Sequence, residues 1–171
     1  MKKRWLVAVV LATMALSLAA SVVGADVYDK WEGVFGRTTR QPSETMDATG
    51  YVEINYVKGQ HNFNVYIYTE NLLEGVAYEA FLRDDDLNNY SFGFFVPQYD
   101  ADAGKVLGVL TMNHKEVVCE EVAAILSSEV TEWGPRVIVS RGPMANRCYI
   151  LNTNTTEAGV PLEPVGSNRG E

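Results

Sequence analysis

The sequence predicts a mainly β protein, an antiparallel immunoglobulin-like or Greek-key β-sandwich with one short α-helix at about residues 115–127. Two stretches, 50–57 and 62–69, alternate apolar and polar residues with period two, which is the pattern of half-buried strands. Further short apolar runs follow, separated by turn-forming Asp, Asn, Gly and Pro. Only one later stretch changes to helical spacing, so a sandwich with a single helix is the fold we expect.

The N-terminal residues 1–25 are predicted to be a secretory signal peptide. They begin with the basic Lys2, Lys3 and Arg4, continue as an apolar run and end in small residues. The alternative is a retained membrane anchor, but the apolar run is shorter than the ~20 residues that span a bilayer. No later stretch is apolar enough to span one, so we expect an extracellular or cell-surface protein.

The chain is strongly acidic. Its formal charge is −8, and residues 26–171 carry −11, because the leader holds three of the 14 Lys and Arg and none of the 22 Asp and Glu. Such a surface repels a polyanionic phosphate backbone, so nucleic acid is not expected as a partner. We expect the surplus charge to serve solubility, and a cationic partner is the alternative.

Residues 26–35 are predicted to form a first strand or an extended arm that packs on its own domain or on a neighbouring molecule. The apolar side chains of this self-association arm are Val27, Trp31, Val34 and Phe35. Residues 36–49 are rich in Thr, Ser, Pro and Gly without an apolar period, and we expect a long loop there.

The body of the domain is predicted to cover 50–152 and to begin as a β-meander. Strand 50–57 turns into strand 62–69, and a third strand covers 76–82. A fourth strand, 90–96, is then expected to pair as a hairpin with a fifth.

The fourth strand is expected to point Phe92, Phe94 and Val96 inward, with a bulge at Gly93. The fifth strand is predicted at 105–112, after a turn at 98–104.

The helix is predicted from the spacing of Val118, Val122, Ile125 and Leu126, which share one face of a helix. Strands near 137–140 and at 147–151 follow it. Residues 153–171 have little to bury and are predicted to be a flexible polar tail.

Two cysteines lie in the exported part, Cys119 on the helix and Cys148 on the last strand. An even number of cysteines in an exported domain predicts one internal disulfide, and bridges between molecules are the alternative.

The best candidates for a bound ion are two acidic loops, whose carboxylates suit calcium. Their residues are Asp84, Asp85, Asp86, Asp100 and Asp102. The alternative is that these aspartates only form turns, because Asp is a common turn residue and the second loop does not match an EF-hand.

No other cofactor is expected, and no enzyme is predicted. His61 and His114 have no partner at the spacing of a zinc site. The sequence has no G-x-S-x-G motif and no phosphate-binding glycine loop. Asn89 and Asn154 begin N-glycosylation acceptor tripeptides.

The stretch 50–112 resembles the Greek-key β-sandwiches of the copper/zinc superoxide dismutase and CHRD type. The likeness lies in a G-x-V-x-I strand, an F-x-V-x-I strand, the segment 71–78 and an Asp-Gly turn near Gly104. Where those families place characteristic histidines, this chain has Tyr78, Glu79, Ala80 and Phe81. The resemblance therefore implies the fold without the dismutase activity.

The leading functional hypothesis is a non-enzymatic structural protein of the cell surface that associates with itself or with another surface protein, as in a surface layer, sheath or fibre. The alternative is an extracellular binding module for a carbohydrate, peptide or calcium, using the acidic loops with Tyr66, Tyr68 and Tyr99 as aromatic contacts. A small exported hydrolase is the third hypothesis.

Overall fold

The computed structural model describes residues 28–38, 42–57, 62–115, 119–128, 134–142, 148–153 and 159–167. Its strands are β1 Tyr28–Arg37, β2 Thr49–Val57, β3 Asn62–Glu70, β4 Tyr78–Arg83, β5 Asn89–Phe95, β6 Gln98–Asp100, β7 Lys105–Lys115, β8 Arg136–Arg141, β9 Cys148–Asn152 and β10 Val160–Ser167. The helix α1 covers Cys119–Leu126, and a short 3-10 turn covers Ser43–Thr45.

Within these ranges the strands form one curled antiparallel sheet in the order β5-β4-β8-β9-β1-β2-β3-β7-β6, and β10 also pairs with β1. We call β1, β2, β3, β6, β7 and β10 the front half, and β4, β5, β8 and β9 the back half. The two halves face each other, since a side chain at Gly108 of β7 would run into the Phe95 ring of β5. The predicted mainly β, sandwich-like fold is confirmed.

The core lies between the two halves and follows the period-two pattern of the strands. Val52 and Ile54 of β2 belong to the same buried cluster as Leu82 of β4 and Val139 of β8. The helix closes part of this core with one apolar face, as its spacing predicts, and its buried residues include Val122. Among the described residues, no helix has both the length and the apolar character of a membrane span.

The predicted arm is a central strand of its own sheet. One edge of β1 pairs with β2 along Tyr28–Phe35, while the other pairs with β10 and, at Gly36 and Arg37, with β9. Trp31 and Phe35 are each 2% exposed in the core. Of the two alternatives, the structure therefore has the segment packed on its own domain; Val27 lies outside the described residues.

The predicted meander is wrong after its second strand. β2 and β3 form the expected hairpin, but β4 pairs with β5 and β8 in the back half. The link between β3 and β4 carries the chain across the core, with Leu72 buried and Gly75 at a positive φ of 71°. This crossover, which period-two spacing does not report, explains the difference.

The predicted hairpin between 90–96 and 105–112 is also wrong. β7 pairs instead with β3 and with the three-residue strand β6. A tight turn sets this partner, because the amide of Gly104 donates to the carbonyl of Asp100 at 2.8 Å. The residues next to that turn, 98–100, are therefore the ones that pair with β7.

The bulge at Gly93 is confirmed, and it changes which side chains of β5 point inward. Ala80 faces Gly93 whereas Phe81 faces Ser91, so one extra residue stands on β5. Because an extra residue reverses the alternation, the buried pair is Phe92 and Phe95. The predicted inward direction is correct for Phe92 and wrong for Phe94 and Val96, which are 70% and 47% exposed.

The predicted flexible tail contains a tenth strand. β10 pairs with β1 through two register irregularities, and Leu162 is only 1% exposed. The sequence does not predict this strand, because Pro161 and Pro164 lie in it and proline is rare in strands. Proline is tolerated in β10, because β10 is an edge strand whose outer amides need no partner.

Candidate functional site

The outer surface of the front half carries the most distinctive set of side chains. Opposite the core, one cross-strand row runs through Val34, Tyr51, Tyr68 and Val109 on β1, β2, β3 and β7. The next row runs through Glu163, Glu32, Glu53, Tyr66 and Thr111 on β10, β1, β2, β3 and β7. An aromatic row therefore lies beside an acidic one.

Three tyrosines of these rows form a packed cluster. The Tyr51 ring stacks on that of Tyr68, with 5.4 Å between centroids and 29° between planes, and lies 5.8 Å from Tyr66. The Tyr68 hydroxyl donates to Glu70 Oε1 at 2.7 Å, and Lys105 Nζ contacts the same oxygen at 2.7 Å. The hydrogen bond to Glu70, and then burial, raise the pKa of Tyr68 to about 12. Tyr68 therefore anchors the cluster to Glu70.

A cleft of about 350 Å³ opens beside this cluster, between β10, β1 and β2. Backbone of Gly33 and Val52 forms its floor, because the Val52 side chain points into the core. Its walls, which we call the glutamate–tyrosine cleft, are Glu32, Val34, Tyr51, Glu53, Glu163 and Val165. Since one face of the Tyr51 ring is stacked on Tyr68 of β3, its other face is turned towards β1 and the cleft.

The charges of the cleft do not balance. Lys30 Nζ lies 2.7 Å from Glu32 Oε1 and 3.1 Å from Glu53 Oε2. The pKa of Lys30 is raised by its hydrogen bonds, first to Glu32 and then to Glu53. The pKa of Glu53 is lowered by the hydrogen bonds that it accepts, first from Asn55 and then from Lys30. Glu163, opposite Glu32 on β10, forms no ion pair with the described residues. Among the described residues, Lys30 thus neutralises part of the charge of Glu32 and Glu53 and leaves that of Glu163 uncompensated.

The acidic loops predicted for calcium form turns. Asp84 Oδ1 accepts a hydrogen bond from the amide of Asn88 at 2.8 Å. Asp100 Oδ1 accepts from the amides of Asp102 and Ala103, both at 2.9 Å. The carboxylates of Asp84 and Asp100 therefore stabilise turns by accepting hydrogen bonds from backbone amides, as Asp often does.

The structure does not bring the two acidic loops together. The loop with Asp84, Asp85 and Asp86 precedes β5, whereas Asp100 and Asp102 lie on the hairpin beyond the other end of β5. Among the described residues, no three His, Cys, Asp or Glu side chains are grouped to hold a metal. Calcium binding stays a prediction.

The other predicted residues are placed as follows. Asn89 is exposed, and its Oδ1 accepts from Arg83 Nε at 2.9 Å. Cys148 is a half-buried free thiol at the start of β9; the side chain of Cys119 is not described, and the disulfide stays a prediction. His61 and Asn154 lie outside the described residues, and of His114 only the backbone in β7 is described.

The sequence predicts part of this site. Tyr66 and Tyr68 belong to the predicted aromatic contacts, together with Tyr99, which lies on β6 away from the cleft. Tyr51 and the three glutamates are not among the predicted residues. These residues could be found from the sequence, because they occupy the outward positions of strands with period-two alternation, as in Glu32-x-Val34 and Tyr51-x-Glu53. Cross-strand register, which the sequence does not state, makes these positions neighbours.

No protein-family model, curated protein or solved structure matches this chain. The resemblance to sandwiches of the dismutase and CHRD type stays a prediction.

Proposed function

We propose that the protein is an exported, non-enzymatic binding module that holds a cationic side chain of a peptide or protein partner in the glutamate–tyrosine cleft. One observation carries this proposal. Tyr51 and the carboxylates of Glu32, Glu53 and Glu163 line the same cleft, where Lys30 pairs with Glu32 and Glu53 but not with Glu163.

Physical chemistry favours a Lys or Arg side chain as the ligand. A cation over an aromatic face gains about 0.5–2 kcal/mol, depending on its exposure, and the excess negative charge of the cleft adds to this attraction. A cleft of about 350 Å³ is at the small end of ligand pockets, which range from about 300 to 1,000 Å³. It therefore suits one side chain of a larger partner, and the apolar walls Val34 and Val165 suit its methylene stem.

A carbohydrate fits this surface less well. A sugar ring would have only one face of Tyr51 to stack on, because the other face is covered by Tyr68, and a neutral sugar does not use the excess negative charge of the cleft as a cation does. Among the alternatives that the sequence left open for a binding module, the geometry favours a peptide.

The experiment is a titration with a capped tetralysine peptide, followed by calorimetry. Glu163→Gln removes a cleft carboxylate that makes no ion pair with the described residues, so the fold should be retained while affinity falls about 3- to 10-fold. Tyr51→Leu should weaken binding further. The matched control is Glu74→Gln, which removes an exposed carboxylate outside the cleft.

An equal loss of peptide affinity in Glu163→Gln and Glu74→Gln would show that the peptide is attracted by net charge alone. That result, or no binding by the unchanged protein, would end the proposal.

Self-association into a cell-surface structure is the second candidate, and one observation favours it. Phe94, Val96 and Tyr99 are exposed beside β5 and β6, the strands that end the sheet. Exposed apolar side chains at a sheet edge favour contacts between molecules. Sedimentation velocity should then show assemblies that Phe94→Ser removes and Leu87→Ser, an exposed turn substitution, retains. A monomer at all concentrations would exclude this candidate.

A further inference from the structure

A pair of arginines lies on the back half, in an otherwise acidic protein. Arg83 of β4 and Arg136 of β8 are direct cross-strand partners. Like charges directly opposite each other destabilise a sheet. An Arg–Arg pair is also unexpected in a chain with 22 acidic and only 14 basic residues. The pair therefore needs a compensating interaction.

Arg83 is fixed by its neighbours. Its Nη2 donates to the Tyr149 hydroxyl at 2.6 Å, and its Nε donates to Asn89 Oδ1 at 2.9 Å. Its Cζ lies 4.9 Å from the centroid of the Tyr149 ring and 5.6 Å from that of Phe81. A guanidinium group has five N–H donors, so these contacts orient Arg83 and leave donors for a ligand.

Arg136 is the less satisfied member of the pair. It is half-buried, and its Nε is buried without a hydrogen-bond acceptor among the described residues. Burial, and then the charge of Arg83, lower the pKa of Arg136; Tyr149 and Asp85 act in the opposite direction with smaller effect. The nearby carboxylate of Asp85 thus offsets the repulsion only in part.

We propose that Arg83 and Arg136 together bind an oxyanion, a carboxylate, sulfate or phosphate group that is free or carried by a larger molecule. A bound oxyanion would neutralise the repulsion between the two guanidinium groups, and its oxygens match the forked donors of arginine. Asn89 adds a donor at the rim, because its Oδ1 accepts from Arg83 and its amide nitrogen remains. This site is separate from the cleft on the front half and takes a ligand of opposite charge.

The experiment measures the melting temperature of the full chain against inorganic phosphate, sulfate and acetate, at constant ionic strength set with sodium chloride. We expect a saturable rise of about 2–4 °C with at least one of the three anions. Arg136→Gln should lose the rise, and Arg136→Lys should keep only part of it. Arg141→Gln, on the same strand but paired with Glu44, is the matched control and should keep it.

Comparison of the three anions distinguishes the chemical class of the oxyanion. A response to acetate indicates a carboxylate, and a response to phosphate or sulfate alone indicates a tetrahedral group. Without an added oxyanion, Arg136→Gln should melt no lower than the unchanged protein, because the repulsion is relieved. No rise with any anion, or the same rise in Arg136→Gln and Arg141→Gln, would overturn the proposal.

Discussion

At the residue scale, Glu70 ties the tyrosine cluster to the sheet and makes its stability depend on pH. Lys105 and then Tyr68 hold the pKa of Glu70 below its usual 4.5 through hydrogen bonds to its carboxylate. Because the folded state favours the ionised form, this stabilisation is complete well above 4.5 and is lost as the pH falls through the lower folded pKa.

Glu70→Gln should therefore cost about 0.5–1 kcal/mol of unfolding free energy at neutral pH and progressively less in acid. Urea unfolding at about pH 7 and about pH 3 measures both values. Asp86→Asn, an exposed turn substitution, controls for the loss of one negative charge. An identical cost at both pH values would contradict this account.

At the element scale, β10 decides whether the C-terminal segment belongs to the fold. Leu162→Ala removes a side chain that is 1% exposed and should lower the free energy of unfolding by about 2–4 kcal/mol. Val165→Ala, on the same strand but with an exposed side chain, should change it by less than about 0.5 kcal/mol. Urea unfolding of the two variants checks this, and equal small costs would mean that β10 is not docked.

The elements also show how far the sequence predicts this fold. Period-two alternation located β2 and β3, and helical spacing located α1, because burial on one face leaves a direct periodic signal. Neither pattern predicts where the chain crosses from one half to the other, as it does near Gly75, because a crossover depends on strand partners that are distant in sequence. The prolines of β10 removed the strand pattern from its sequence. The bulge at Gly93 reversed the inward–outward alternation of β5, so Phe94 points outward.

The site was predictable in composition but not in arrangement. The sequence predicts Tyr66 and Tyr68 as aromatic contacts, and both occupy outward positions of one strand. Their neighbours Tyr51 and Glu163 come from strands β2 and β10, and only the registers with β3 and β1 bring them to the same surface. The register of the β10 pairing depends on irregularities that no periodic pattern specifies.

At the scale of the whole molecule, we expect the front and back halves to unfold together. β1 of the front half also pairs with β9 of the back half, and one buried cluster joins Val52 and Ile67 to Leu82 and Val139. Hydrogen exchange should therefore give the slowest amides of β3 and β8 the same free energy of opening, equal to that of global unfolding. A back half that opens several kcal/mol more easily than β3 would contradict this.

The position of β1 also has a consequence for the order in which the protein is made. Glu32 pairs with Glu53, which the ribosome adds soon afterwards, and also with Glu163, which it adds much later. The first described strand therefore completes its pairing only after β10 has been synthesised. For the exported protein that we propose, this late pairing would keep β1 unpaired on one edge while the chain passes through a translocation channel.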